Sequence, residues 1–350
     1  SMGVAVGDFD GDGFPDLYCT NTPQGNSLLL GDGGGGFVEA APEAGVEVNG
    51  ACWGANFVDL TNDGNLELYV VDQVYPDRVY SASSGWPCED VGPALGMNVT
   101  FPHQSFCVAF ADIDGDGDLD YAHLSIRSGG QSPIRLFVNH EGSQLNWARF
   151  RVIGEGADTG AIGARLTLTT PVGVQRRQIH AGASYQSQDE LVAHFGLGDE
   201  TQIDSVVVTW TGGTERAFVN VPANTLWTLP APERLGDANG DGTVDASDEA
   251  ALQSCLGGAA SVPVVPGCQW FDFDGDFVLD ANDVAAFGDL LNPPGCPADV
   301  TGDSSVDLAD LNMVLGSFGQ ASASGDTNGD GVVDLADLNA VLGAFGTSCG

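Results

Sequence analysis

The 350 residues carry 49 acidic side chains against ten arginines and no lysine, a formal net charge of −39. That balance argues against nucleic-acid and anionic-membrane binding, which both need basic surface. At 43% apolar residues the chain can build real cores, which argues against wholesale disorder, and its length suggests two or three domains. Charge is unevenly spread. Residues 1–125 hold 20 acids and one arginine, residues 126–234 hold nine arginines, and residues 235–350 hold 19 acids and no base. Most flank acids fall inside repeated loops, which speaks against a salt-adapted surface. Eight cysteines show neither a CxxC nor a Cys/His zinc pattern. Their even number suits an oxidising, extracytoplasmic compartment, with buried thiols as the alternative. No apolar run is long enough to span a membrane. No signal peptide is visible, and the opening SMGVAVGDFD starts directly in a strand pattern, so the chain reads as an excised or truncated piece with any leader lost.

In chain order, the first signal is DFDGDGFPD, Asp8–Asp16. Alternating aspartates on a glycine-turned backbone converge on one point, and a hard cation such as Ca²⁺ takes roughly six to eight oxygens at about 2.3–2.6 Å. The idea recurs at Asp59–Glu67 (DLTNDGNLE) and Asp112–Asp120 (DIDGDGDLD). It returns in a longer form at Asp237–Asp248, Asp272–Asp283, Asp299–Asp310 and Asp326–Asp337, seven loops in all. Short strands are predicted around the first loop at Val4–Val6, Leu17–Cys19, Asn26–Leu30 and Gly36–Ala40. The pattern restarts at Trp53–Asp59 with Leu68–Val71, then at Cys107–Asp112 with Tyr121–Leu124. First loop positions lie 51 and then 53 residues apart. Four-strand repeats of that length read as β-propeller blades.

These residues, with NSLLLGDGGGGFVEAAPEAGV downstream of the first loop, resemble the FG-GAP (VCBS) repeats of integrin-type propellers. The resemblance implies that Asp8, Asp10, Asp12 and Asp16 hold one calcium with the Phe14 carbonyl. Asp59, Thr61, Asp63 and Glu67 hold a second with the Asn65 carbonyl, and Asp112, Asp114, Asp116 and Asp120 a third with the Asp118 carbonyl. The middle loop, which uses Thr61 and Glu67, is expected to bind weakest. Three blades over residues 1–140 do not close a propeller. Either blades are missing upstream or the fragment is open with an exposed sheet edge.

Residues 141–229 alternate apolar and polar over Ala148–Ile153, Arg165–Thr170, Val174–His180, Ser205–Trp210 and Arg216–Val221, punctuated by glycine and proline, and predict a β-sandwich. IGARLTL, HAGASYQSQ, HFGLG and VVVTWTGG, in that order, resemble the ASPIC/UnbV domain, which follows FG-GAP repeats in secreted proteins and is not established as a catalyst. His180, Ser184, His194 and Asp189 are the tempting catalytic group. No GxSxG elbow accompanies them, and no enzyme is expected. Trp210 is expected in the core. Arg165, Arg176 and Arg177 are read as a solvated strand face, with a small anion or sugar contact as the alternative.

After the stiff linker Pro230–Pro232, DANGDGTVDASD follows the EF-hand order of ligands at positions 1, 3, 5, 7, 9 and 12 with glycine at 6. A helix follows each such loop, as at Glu249–Leu256 and in the near copies LADLNMVLGSFG and LADLNAVLGAFG. The segment resembles dockerin domains, pairing as 236–292 and 296–350. Implied ligands are Asp237, Asn239, Asp241, Thr243, Asp245 and Asp248; then Asp272, Asp274, Asp276, Asp280 and Asp283. The third loop offers Asp299, Thr301, Asp303, Asp307 and Asp310, and the fourth Asp326, Asn328, Asp330, Val332, Asp334 and Asp337. Phe277 and Ser304 replace the glycine in loops two and three. Position 8 is apolar throughout (Val244, Leu279, Val306, Val333) and is expected to bridge paired loops. The resemblance also implies Cys255–Cys268 and Cys296–Cys349 disulfides and, as partner, a cohesin module. The expected protein is mainly β, with partial propeller blades, a sandwich and two calcium loop–helix pairs. It is read as a secreted, Ca²⁺-dependent surface or adhesion protein binding a protein or glycan. The alternative is a non-catalytic accessory component of a polysaccharide-degrading assembly.

Overall fold

The computed structural model describes all residues except 22–23, 98–102, 128–133, 157, 159, 292–295, 302, 304, 321–324, 329–331 and 348–350. Asp330, Ser304 and Cys349 therefore lie outside the described residues. The fold is mainly β, with several sheets, none of them closed among the described residues. It divides into two compact units, Ser1–Leu235 with Val264–Val278, and Gly236–Pro263 with Leu279–Gly350.

The first unit begins with three antiparallel sheets. Strands β1 (Val4–Gly7), β2 (Asp16–Cys19), β3 (Ser27–Gly31) and β4 (Phe37–Glu39) form the first in sequence order, followed by the short helix α1 (Ala41–Ala44). Strands β5 (Cys52–Val58), β6 (Glu67–Asp72), β7 (Arg78–Ser81) and β8 (Glu89–Asp90) form the second. Strands β9 (His103–Ala111), β10 (Asp120–Arg127) and β11 (Ile134–Phe137) form the third. Every residue of β6 is buried. The period-2 geometry of a strand explains this, because alternate side chains point to opposite faces. Leu68 and Val70 join the core shared with Tyr18, Leu28 and Ala55, while Tyr69 and Val71 join the one shared with Val108, Phe110 and Tyr121. The middle sheet is thus apolar on both sides.

The rest of the unit is a sandwich of two sheets. One has the order β15 (Ala193–Gly198), β12 (Asn146–Val152), β18 (Leu226–Leu229), with β12 and β18 parallel. The other has the order β14 (Gly173–Gln178), β13 (Arg165–Thr170), β16 (Gln202–Thr209), β17 (Glu215–Pro222). Leu166, Leu168, Val206, Val208 and Phe218 fill the space between them, and Phe150 meets Phe195 edge-on at 5.8 Å. Trp210 is 3% exposed and donates its Nε1–H to the Ile153 carbonyl at 2.9 Å. The returning segment 264–278 belongs to this unit. Phe277 stands at the place where a loop glycine was expected and takes a left-handed φ of 61°. Its ring packs edge-on against Trp227 at 4.8 Å and Phe218 at 6.2 Å.

In the second unit each loop leads into a helix: α2 (Ala246–Leu256), α3 (Ala281–Leu291), α4 (Leu308–Ser317) and α5 (Leu335–Ala344). Val306, Val314, Val333 and Val341 form a fully buried core where α4 packs on α5. Among the described residues, the position-8 valines of this pair bond to chain beyond the helices. Val306 accepts from Gly346 N at 2.8 Å and donates to Thr347 O at 2.9 Å, while Val333 bonds Gly319 and Gln320 in the same way. Each of these two loops therefore clasps the chain just past the helix that follows the other loop, because the helix ends leave backbone groups that need partners.

Candidate metal centres

The three short loops are the turns of equivalent hairpins. Gly7 pairs with Asp16, Val58 with Glu67, and Ala111 with Asp120, so each loop's closing acid sits at the start of the second strand. That acid turns inward and accepts the backbone N–H of the second loop residue. Asp16 Oδ2 accepts from Phe9 at 2.8 Å, Glu67 Oε2 from Leu60 at 2.9 Å, and Asp120 Oδ2 from Ile113 at 2.8 Å. Asp16 Oδ1 also accepts from Gly31 N, and Asp120 Oδ1 from Asn139 N. The sixth position is a glycine each time, Gly13, Gly64 and Gly117, with φ of 94°, 93° and 95°, a region an L side chain avoids. Its N–H returns to the first aspartate, Asp8, Asp59 or Asp112.

Oxygens of Asp8, Asp10 and Asp16 lie within 4.8 Å of one another, and so do those of Asp112, Asp114 and Asp120. Asp12 turns its carboxylate to Phe14 N at 2.8 Å. In the middle loop Asp59, Asp63 and Glu67 do not converge within that distance among the described residues. Asp63 is instead held by Asn65 N and the Ser83 hydroxyl, Asn65 is exposed, and Thr61 is half-buried. The loop expected to bind weakest is also the least gathered. Two contacts lie beyond what the sequence reading covered. Asp118, expected to offer a carbonyl, buries its carboxylate and accepts from Asn62 Nδ2 of the middle loop at 2.8 Å. His140 brings Nδ1 to 3.4 Å from Asp116 Oδ2, grouped with Asp114. No local spacing could have found it, since it lies far downstream of the loop.

Burial pushes these acids up: Asp16 to about 6, Asp59 to about 6, and Glu67 to about 8, the last aggravated by Asp59. Asp59 Oδ1 is buried and accepts no hydrogen bond. A buried carboxylate oxygen without a partner is costly. These residues fit a hard divalent cation, which prefers carboxylate oxygen and would supply the missing positive charge.

In the second unit the twelfth-position acids fold back in a repeated way. Asp248 Oδ1 accepts from Ala238 N at 2.9 Å and Oδ2 from Asp245 N at 3.0 Å. Asp310 and Asp337 repeat this with Thr301 and Asp307, and with Thr327 and Asp334. The ninth-position residues Asp245, Asp307 and Asp334 are helix N-caps in reciprocal capping boxes. Asp280 likewise accepts from Asn282 N and donates its own N–H to Asp283. Asp299, Asp303 and Asp310 converge, and in the returning segment of the first unit so do Asp272, Asp274 and Asp276. Asp237 accepts from Asp241 and Gly242, Asn239 Oδ1 from Asp241 N, and Asp241 from Thr243, drawing that arc inward. Thr301 donates Oγ1–H to Asp310. Asp326, Asn328 and Val332 flank undescribed residues. Cys255, Cys268 and Cys296 are disulfide-bonded, while Cys19, Cys52, Cys88 and Cys107 are thiols.

The tempting catalytic group does not assemble through hydrogen bonds among the described residues. His194 Nε2 contacts Gly117 O at 3.0 Å, Asp189 accepts from Asn56 and Phe110, and Ser184 Oγ is buried without a partner.

A family model described as FG-GAP-like repeat matches residues 8–70, and one described as ASPIC and UnbV matches residues 154–235. The chain is 28% identical over 313 residues to mouse (Mus musculus) cartilage acidic protein 1, covering 85% of this chain and 43% of that protein. It is 31% identical over 227 residues to the human protein of the same name, covering 60% of this chain and 33% of that one. The chain therefore spans less than half the length of these curated relatives. Among solved structures, a type II cohesin–X–dockerin complex from Acetivibrio cellulolyticus overlaps 58% of this chain and 97% of its own, at 11% identity and a TM-score of 0.17, a likeness too loose to carry an argument. No helix is long and apolar enough to cross a membrane among the described residues. Residues 8–70 thus match an FG-GAP-like repeat and residues 154–235 an ASPIC and UnbV segment, which supports the FG-GAP/UnbV assignment of those two stretches.

Proposed function

We propose that the chain is an extracellular, calcium-dependent interaction protein whose three repeat sheets are propeller blades braced by ions at their loops. The observation that carries the reading is the repeated inward carboxylate, Asp16, Glu67 and Asp120, buried at the same place in three hairpins. Without a cation these acids repel their neighbours and resist burial. With one, the loop is stable and the hairpins hold a fixed surface for a protein or glycan partner. Ion binding to the folded form alone raises its stability by mass action. Similarity to cartilage acidic proteins supports the extracellular setting. Calcium is a structural condition here and not a reagent, so catalysis is not part of the reading. The test is thermal melting with chelator and then with calcium restored. A melting temperature that falls and recovers supports the reading, and one that does not move refutes it.

A second reading is favoured by the tail. The near-copy helices expose Leu308, Leu315 and Phe318 on one and Leu335, Leu342 and Phe345 on the other. Such duplicated apolar positions suit a dockerin-like module seated in a cohesin, which would make the protein an accessory of a polysaccharide-binding or polysaccharide-degrading assembly. Calcium-dependent capture by cohesin modules supports it; absence of capture with calcium present removes it.

A further inference from the structure

The sandwich meets the three repeat loops in a repeated manner. Each sixth-position glycine is covered by one sandwich side chain. A Cβ on Gly13 would fall 2.5 Å from Arg176 Nη1, one on Gly64 3.0 Å from Gln175 Nε2, and one on Gly117 2.0 Å from the Trp147 ring. An arginine also attends each first aspartate. Arg176 Nη1 lies 4.0 Å from Asp8 Oδ2. Arg177, held by the His194 carbonyl and over the Phe195 ring, supplies the positive charge that favours the Asp59 anion. Arg149 joins its Nη1 to Asp112 Oδ2 and its Nη2 to Glu190 Oε1 at 2.6 Å.

The three contacts differ in depth. The Arg176 side chain is 45% exposed, so water and salt screen its charge. The Arg149 side chain is 6% exposed and the Asp112 side chain is buried, so that pair is screened far less. We propose that Arg149 is a resident cation of the third loop, which partly neutralises Asp112 and thereby lowers that loop's affinity for a divalent ion. The inference rests on the calcium reading above. DIDGDGDLD is the most aspartate-rich of the three short loops, yet it binds less tightly than its composition suggests. It also keeps more of its shape when ions are removed. Seating of the sandwich and filling of this loop are then energetically linked, because both act on one carboxylate.

Trp147 on Gly117 supplies a local reporter. Terbium, standing in for calcium, is excited through this indole when it occupies the third loop, and Trp147→Phe identifies that signal by abolishing it. Arg149→Gln is expected to tighten terbium binding about tenfold, the effect of removing one like charge nearby. Arg149→Lys, which keeps the charge, is expected to stay within about threefold of wild type, and Arg176→Gln to leave the third loop unchanged. Glu190→Gln is expected to act the other way and weaken binding about threefold, because it leaves the guanidinium less compensated. Unchanged or weaker binding in Arg149→Gln overturns the proposal. Should that variant not fold, unchanged binding in Glu190→Gln overturns it instead. Wild-type protein with no terbium emission and no chelator effect overturns the calcium reading as well, which separates the two failures.

Discussion

Replacing Glu67 by glutamine removes a charge while keeping the size of the side chain and an oxygen for the Leu60 N–H. Glu67 is 1% exposed, and burial together with the Asp59 charge raises its carboxyl from 4.5 to about 8. A carboxyl raised on folding contributes its stability below its unfolded value and loses it as pH rises toward the folded one. Between pH 4.5 and about 7 the ion-free protein should therefore lose roughly 1.4 kcal/mol per pH unit at this group, about 3 kcal/mol in total. Glu67→Gln escapes that loss. In chelator at pH 7 the variant should be more stable than wild type by about 2–3 kcal/mol, and the two should converge near pH 4.5. With calcium the order reverses, since the variant has given up an anionic ligand. Urea melts of both proteins, with chelator at two pH values and with calcium at pH 7, measure all of this. A Glu67→Gln variant destabilised equally with and without calcium would refute the reasoning.

Gly117→Ala forces a side chain onto the Trp147 ring at a φ of 95°. It should cost about 2–4 kcal/mol by urea melting, with partial recovery when Trp147 is also cut to alanine. In the second unit the Asp337 carboxyl is held down by the Asp334 N–H and by Thr327. Its stability is present at neutral pH and is lost as pH falls below the ordinary carboxylate range, opposite in sign to Glu67. Asp337→Asn should flatten that acid limb in circular-dichroism titrations. Alkylation of unfolded, unreduced protein should label Cys19, Cys52, Cys88 and Cys107 and spare Cys255, Cys268 and Cys296. In the native state Cys52 should react slowest of the four, being fully buried with a thiol pushed to about 12.

The loops were legible because their signal is local: aspartate alternation and glycine at the sixth place need only nine residues of context. The sheets around them followed from β-branched and aromatic runs. Strand β15 was harder, since AHFGLG has two glycines and no alternation; its pairing with β12 holds it in place. Arg149 and Asp112 are 37 positions apart, so only the packing of sandwich on repeat brings them together. His140 at Asp116 and Asp118 at Asn62 are unreadable for the same reason. The second-unit helices were marked by repeated leucines. The sequence could not show that ninth-position aspartates serve as N-caps, because a ligand and a cap require the same side chain at the same place.

Phe277 carries a practical consequence for anyone who cuts this chain into pieces. A fragment stopped at Leu235 discards the phenyl ring that packs edge-on against both Trp227 and Phe218. It would uncover part of Trp227 and of Phe218, whose other face stays under the Arg216 guanidinium, and exposed apolar surface of this kind favours association. Soluble expression of the repeats and sandwich should therefore require a boundary placed beyond residue 278, even though that stretch is, by sequence alone, an arc of the tail.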